Sequence, residues 1–200
     1  MNFLAFFAIS MVNTQMIPFL SKLGYTVVQR GYILAANAVV AIVGQFLFGY
    51  LCDRFQRVKV FFLAAYLLLT ASSFAMFLVE HQTFWYHLFT VALMGGMVKV
   101  IMGLDETWML EVDQENYGRL RASGALGLTI GSPIAGFLVH RFHYTSILIS
   151  LGIVSVILCW LIIKAKDADK KKGERIKMES VQQLLKNRGY LLLVFIYLLV

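Results

Sequence analysis

Apolar residues run along this chain in long blocks separated by short polar stretches, and block length predicts the elements. A helix needs about 20 mostly apolar residues to cross a bilayer. Segments 3–20, 31–51, 59–79, 84–110, 122–140 and 144–163 meet that requirement and predict six transmembrane helices. A further block, YLLLVFIYLLV, fills 190–200. At 1.5 Å rise per residue it reaches only about 16 Å, so it reads as the start of a seventh helix. The predicted organisation is a six-helix unit over 1–163, a basic linker over 164–189 and an incomplete seventh helix over 190–200. The chain is thus expected to be half, or a fragment, of something longer.

Composition supports a membrane reading. Of the 200 residues 60% are hydrophobic and 14% charged, against about half and a quarter in soluble domains. The net charge of +7 would fit a nucleic-acid binder, but the basic residues gather between the apolar blocks instead of covering a soluble face. That distribution excludes nucleic acid and points to membrane topology. Arg54, Arg57 and Lys59 follow span 2, Arg119 and Arg121 follow span 4, and nine more lie between Lys164 and Arg188. The opposite connections carry Lys22, Arg30 and Arg141. By the positive-inside bias the N-terminus is cytoplasmic, in a multi-pass plasma-membrane protein. The opening MNFLAFFAISMVNTQMIPFL lacks the basic start and small-residue cleavage site of a signal peptide, so it reads as span 1. In the linker, Ser180 and Gln183 ahead of Leu184 and Leu185, with Gly189 as a stop, predict a short amphipathic helix on the cytoplasmic surface.

The sequence also repeats itself. Residues 31–55, GYILAANAVVAIVGQFLFGYLCDRF, align with 118–142, GRLRASGALGLTIGSPIAGFLVHRF. The unbroken frame G-x-L-x-x-R-F recurs as Gly49, Leu51, Arg54, Phe55 and as Gly136, Leu138, Arg141, Phe142. An odd number of spans separates the copies, so they run in opposite directions, the pattern of an inverted-topology repeat. The predicted fold is an all-α membrane protein: a six-helix transmembrane bundle of two inverted three-helix repeats, plus the start of a seventh helix.

Two motifs carry a family resemblance. GYLCDRFQRVK, Gly49 to Lys59, resembles the signature between helices 2 and 3 of the major facilitator superfamily. Gly49, Leu51, Cys52, Asp53, Arg54 and Arg57 match it, whereas Gln56 replaces a glycine and Val58 a basic residue. NYGRLRASGALG, Asn116 to Gly127, is similar to the start of helix 5 in the oligosaccharide–proton symporter and nucleoside permease branch. Tyr117, Gly118, Arg119, Arg121, Gly124 and Ala125 match that frame. The resemblance covers the whole chain and implies the N-terminal half of a secondary transporter. Its implied partners are the lipid bilayer, a small polar solute such as a sugar or nucleoside, protons as coupling ions, and a missing C-terminal half-domain. In that branch the second arginine of the frame binds solute with an acid on helix 4. The resemblance gives Arg121 that role and gives the acid's to Asp105 or Glu106. Leu128 stands where the branch has an indole that stacks on sugar. It further implies gating by Gly49, Asp53, Arg54, Arg57 and Arg119, with Asp53 capping a neighbouring helix.

The residues can be weighed on their own chemistry. A charge in hydrocarbon is costly, so Lys99, Asp105 and Glu106 within span 4 should face a cavity or a partner. Lys99 and Glu106 share a helix face, and Asp105 points about 100° away. Asn13, Thr14 and Gln15 fan around span 1, so a cavity-facing polar group is expected among them; an interhelical hydrogen bond is the alternative. Trp108, near the acids, is a candidate cavity wall, and Trp85, Tyr86 and Tyr144 are expected interfacial anchors. Gly124, Gly127, Gly131 and Ala135 form a small-residue stripe for close packing. No nucleophile is spaced to pair with a base and no HExxH or GxSxG occurs, so an enzyme is not expected. Neither Cys52 nor Cys159 has metal-ligand spacing, and neither a metal nor another cofactor is expected. A non-transporting assembly protein derived from a transporter half is the alternative function.

Overall fold

The computed structural model of the chain divides into two units, Met1–Asp169 and Lys170–Val200, and describes residues 1–167 and Gly189. The expected amphipathic helix and the start of a seventh span fall outside the described residues, apart from Gly189. In the first unit the elements are α1 (Asn2–Lys22), α2 (Val27–Phe55), α3 (Lys59–Leu78), α4 (Phe84–Val112) and α5 (Tyr117–Lys164). Each is long and apolar enough to cross a membrane, and no strand occurs among the described residues. Helices are what hydrocarbon demands, because a backbone group without an internal partner finds no water there.

Two expected spans, 122–140 and 144–163, appear as the single element α5 of 48 residues. Straight, it would measure about 72 Å, more than twice the bilayer core. It is not straight. His143 has φ 63 and ψ −178, which breaks the helix into 117–142 and 144–164. The expected connection is thus a single non-helical residue, and the two arms run in opposite directions. The first arm runs parallel to α1, with Gly127 against Phe3 and Gly136 towards Gln15. The second runs antiparallel to α3. Tyr144 stacks on Phe77, ring centroids 5.6 Å apart, at one end, and Lys59 Nζ donates to Ala165 O at the other. Six membrane crossings result. The shorter connections are equally local: Thr26 and Gln29 form a capping box at the start of α2, and Gly24 takes a left-handed turn (φ 87) just before it.

Packing obeys the repeat. Membrane helices associate through close van der Waals contact at small residues, and two equivalent seams do this here. On the first, a Cβ at Gly127 would lie 2.3 Å from Phe3 O, and one at Gly131 would lie 2.8 Å from Phe7 O and 2.9 Å from Ser10 Cβ. Ser10 Oγ adds a hydrogen bond to Leu128 O at 2.8 Å and a second to Ser132 Oγ at 2.7 Å. On the second seam, between α2 and α4, a Cβ at Gly44 would meet Val100 and Met97, and one at Gly96 would meet Val40. The contacts Gly44–Met97 and Gly131–Ser10 are images of each other: 131 − 44 and 97 − 10 are both 87. Asn37, with its amide oriented to satisfy both atoms, donates to Val91 O at 2.9 Å across the second seam.

The seams predict a graded response to added methyl groups. Gly127→Ala should destabilise the bundle by about 1–3 kcal/mol through overpacking against backbone. Gly118→Ala, where nothing lies within 4 Å, should be neutral or slightly stabilising. Thermal unfolding of both variants in the same detergent checks this; equal midpoints would show that the seam is loose.

Candidate functional site

At one end of the bundle the last turns of α4 meet the first turns of α5. Tyr117 and Arg121 stand four residues apart on α5, so they share a face. Both reach Glu106 on α4. Tyr117 Oη donates to Glu106 Oε1 at 2.7 Å, Arg121 Nη1 donates to the same oxygen at 2.9 Å, and Arg121 Nη1 also donates to Tyr117 Oη at 2.5 Å. The Glu106 and Arg121 side chains are 51% and 66% exposed. Exposed pairs of this kind add little stability, so this one does not hold the bundle together; it presents charge on the outside of the bundle.

Of the two acids expected as alternatives, it is Glu106 that meets Arg121. Asp105 points to another side, is fully buried, and has neither carboxylate oxygen hydrogen-bonded. Lys99 is exposed on α4, with its backbone carbonyl accepting from Gln45 Nε2 at 3.5 Å. On α1, Asn13 and Thr14 are exposed, and Gln15 is buried. Thr14 Oγ1 returns to Ser10 O at 2.7 Å.

Two aromatic expectations change. Trp108 is not a cavity wall. It is 3% exposed, edge-on to Phe62, with Nε1 donating to Lys166 O at 3.1 Å. Its neighbours come from α3 and from the residues after α5, so it closes the core at the end of the bundle where α3 starts and α5 finishes. Tyr144 is likewise core rather than an interfacial anchor, because the break at His143 turns it inward against Phe19 and Phe77.

The expected gating residues lie along the end of α2 and the start of α5. Gly49 faces open space. Asp53, Arg54, Arg57 and Arg119 are exposed, and Arg54 Nη1 donates to Tyr50 Oη at 2.8 Å. Gln56, standing where the signature has glycine, still takes the left-handed conformation, φ 53 and ψ 37. That conformation costs about 1–2 kcal/mol for a residue with a Cβ, while Gln56 Nε2 donates back to Asp53 O at 2.5 Å.

The carboxylate seen at the start of α3 is that of Asp167, which the sequence reading passed over. Its Oδ1 accepts from Lys59 N at 2.9 Å and from Val58 N at 3.3 Å, satisfying donors that a helix start leaves bare. In return Lys59 Nζ donates to Ile163 O at 2.6 Å and to Ala165 O at 2.8 Å, the bare acceptors of the α5 end. Each helix end is thus closed by a charge of the favourable sign. No local pattern links residues 108 apart in sequence, so this clasp had no signal. Tyr117 had one in its spacing to Arg121.

Helices long and apolar enough to cross a membrane, arranged as inverted triplets, define a multi-pass membrane protein. The sequence model of the Major Facilitator Superfamily matches residues 1–200, and the chain belongs to that family of membrane transporters. No curated protein matches the chain.

The clasp makes a prediction of its own. Asp167→Ala should lower unfolding stability by about 0.5–2 kcal/mol, the usual cost of a lost helix cap, and Asp167→Asn should recover most of it. Thermal melts of the three proteins decide; an unchanged Asp167→Ala midpoint would mean that solvent serves those donors equally well.

Proposed function

We propose that this chain forms half of a secondary transporter that moves a small polar solute, such as a sugar or nucleoside, by proton-coupled alternating access. The observation that carries the reading is the Glu106–Arg121 pair at 2.9 Å, bridging α4 and α5. A carboxylate–guanidinium pair can bind a polar solute through charge-assisted hydrogen bonds and exchange partners when a cavity closes. Lys99, on the Glu106 side of α4, and Asn13, on α1, supply further exposed polar groups. Gln15 and Trp108 are buried, which supports structural roles for them. Asp105, a buried carboxylate with unpartnered oxygens, is the coupling candidate: an ionised group there would have the opposite charge of the Met1 amino group acting on it but no hydrogen bond to stabilise it, whereas a proton neutralises it. Gly49, Asp53, Arg54, Arg57 and Arg119, on the exposed cytoplasmic rim, are the proposed gate towards the other half-domain.

Uptake of a panel of radiolabelled sugars and nucleosides into proteoliposomes, with and without a pH gradient, tests the reading. Arg121→Lys keeps charge but loses the planar fork, and should reduce uptake of the carried solute at least about tenfold with membrane insertion intact. Asp53→Asn should abolish uptake. Asp105→Asn should remove the response to the pH gradient while leaving solute exchange at equilibrium. Undiminished uptake by Arg121→Lys would assign the pair to structure instead.

A further inference from the structure

The hydrogen count around Glu106 shows what the cluster uses up and what it leaves. Arg121 Nη1 carries two hydrogens and Tyr117 carries one. One Nη1 hydrogen goes to Glu106 Oε1, the other to Tyr117 Oη, and the phenolic hydrogen goes to Glu106 Oε1. The three side chains therefore close a ring in which every donor of those two atoms is spent. Arg121 Nε and Nη2, and Glu106 Oε2, make no hydrogen bond among the described residues. Removing the phenol would free Nη1 to rotate and let the guanidinium engage both carboxylate oxygens in the fork-to-fork geometry that such pairs favour. Tyr117 blocks that collapse: it occupies one edge of each partner and keeps the pair single-ended. The Arg121 charge is meanwhile already balanced by Glu106.

We propose that Tyr117 is a positioning residue, holding Glu106 and Arg121 so that Oε2 and the Nε/Nη2 edge are offered together to a neutral solute carrying adjacent hydrogen-bond donors and acceptors. The proposal rests on the reading of Glu106 and Arg121 as the solute site. It adds a residue that nothing in the chemistry of the ion pair alone would select, and a hydrogen-bonding reason for the solute to be neutral. A carboxylate or phosphate ester would have to displace Glu106 to reach the arginine; a diol or a nucleobase edge would not.

The test is Tyr117→Phe, which removes a single oxygen. One arm reads geometry without any solute: residue-resolved labelling by phenylglyoxal, an arginine reagent, of the full chain in membranes. Without the phenol, Arg121 labelling should change at least about threefold, while Arg119, two residues away on nearly the opposite side of α5 and exposed, stays constant as the internal reference. The second arm reads function with [3H]uridine and [14C]galactose as probes, in proteoliposomes. For whichever is carried, Tyr117→Phe should raise KM about three- to tenfold, the size of one lost hydrogen bond, with Vmax within twofold; excess unlabelled galactitol should compete and excess lactate should not. Unchanged Arg121 labelling would overturn the proposal at the level of geometry. Changed labelling with unchanged KM would overturn the positioning role. Competition by lactate would overturn the neutral-solute class. If instead Arg121→Lys transports normally while Tyr117→Phe still alters labelling, the solute-site reading fails and the ring stands as a structural feature only.

Discussion

The structure depends on how closely two pairs of helices approach. In hydrocarbon there is no hydrophobic force to push helices together, because lipid tails are as apolar as leucine. Association has to come from contact, and contact has to come from missing side chains. Gly127 leaves no room for a methyl group beside Phe3 O, and Gly96 none beside Val40. The Ser10–Ser132 and Ser10–Leu128 bonds reinforce the first seam, and the Asn37–Val91 bond the second. Because α5 is fixed against α1 from Gly124 onward, the turn just before it, which carries Tyr117 and Arg121, is fixed as well. The charged ring is a consequence of where the glycine seam begins.

A second constraint governs charge. Among the described residues the two ion pairs, Lys22–Glu80 and Glu106–Arg121, lie at or within about two turns of helix ends, where water can reach them. Polar groups deeper in the bundle are spent on neighbours. Tyr66 and Thr70 share Ser155, and His87 meets Tyr25 at 2.9 Å and Val79 O at 3.2 Å. Asp105 breaks this rule, since it is buried with both oxygens unpartnered. Arg30 Nε and Gln56 Oε1 are also buried without a hydrogen bond, but Asp105 alone among these leaves both oxygens of an ionisable group in that state, which makes it a functional candidate.

Much of this was legible in the sequence for a physical reason: period and length survive without tertiary information. The six crossings follow from apolar block length, and the first seam follows from the spacing of small residues at Gly124, Gly127, Gly131 and Ala135. The 87-residue displacement that relates the repeats reappears as Gly44–Met97 against Gly131–Ser10. Side-chain direction was harder. One residue's rotation separates Asp105 from Glu106, and only the packed bundle shows that the first turns inward and the second meets Arg121. The inward turn of Trp108 and Tyr144 depends on what the ends of α3 and α5 do, which no local pattern states. The Lys59–Asp167 clasp joins residues 108 positions apart and was invisible for the same reason. At the motif loop a signature glycine is absent, yet Gln56 takes the left-handed conformation that glycine most readily adopts.

The central claim is that Glu106 and Arg121 act on solute as one unit. A double-mutant cycle on uptake, with Glu106→Gln, Arg121→Lys and the double variant, measures it most directly. Strong coupling is expected, with the double variant no slower than the worse single one, since either change alone already dismantles the shared site. Losses that simply multiply would contradict it, because the two residues would then contribute independently.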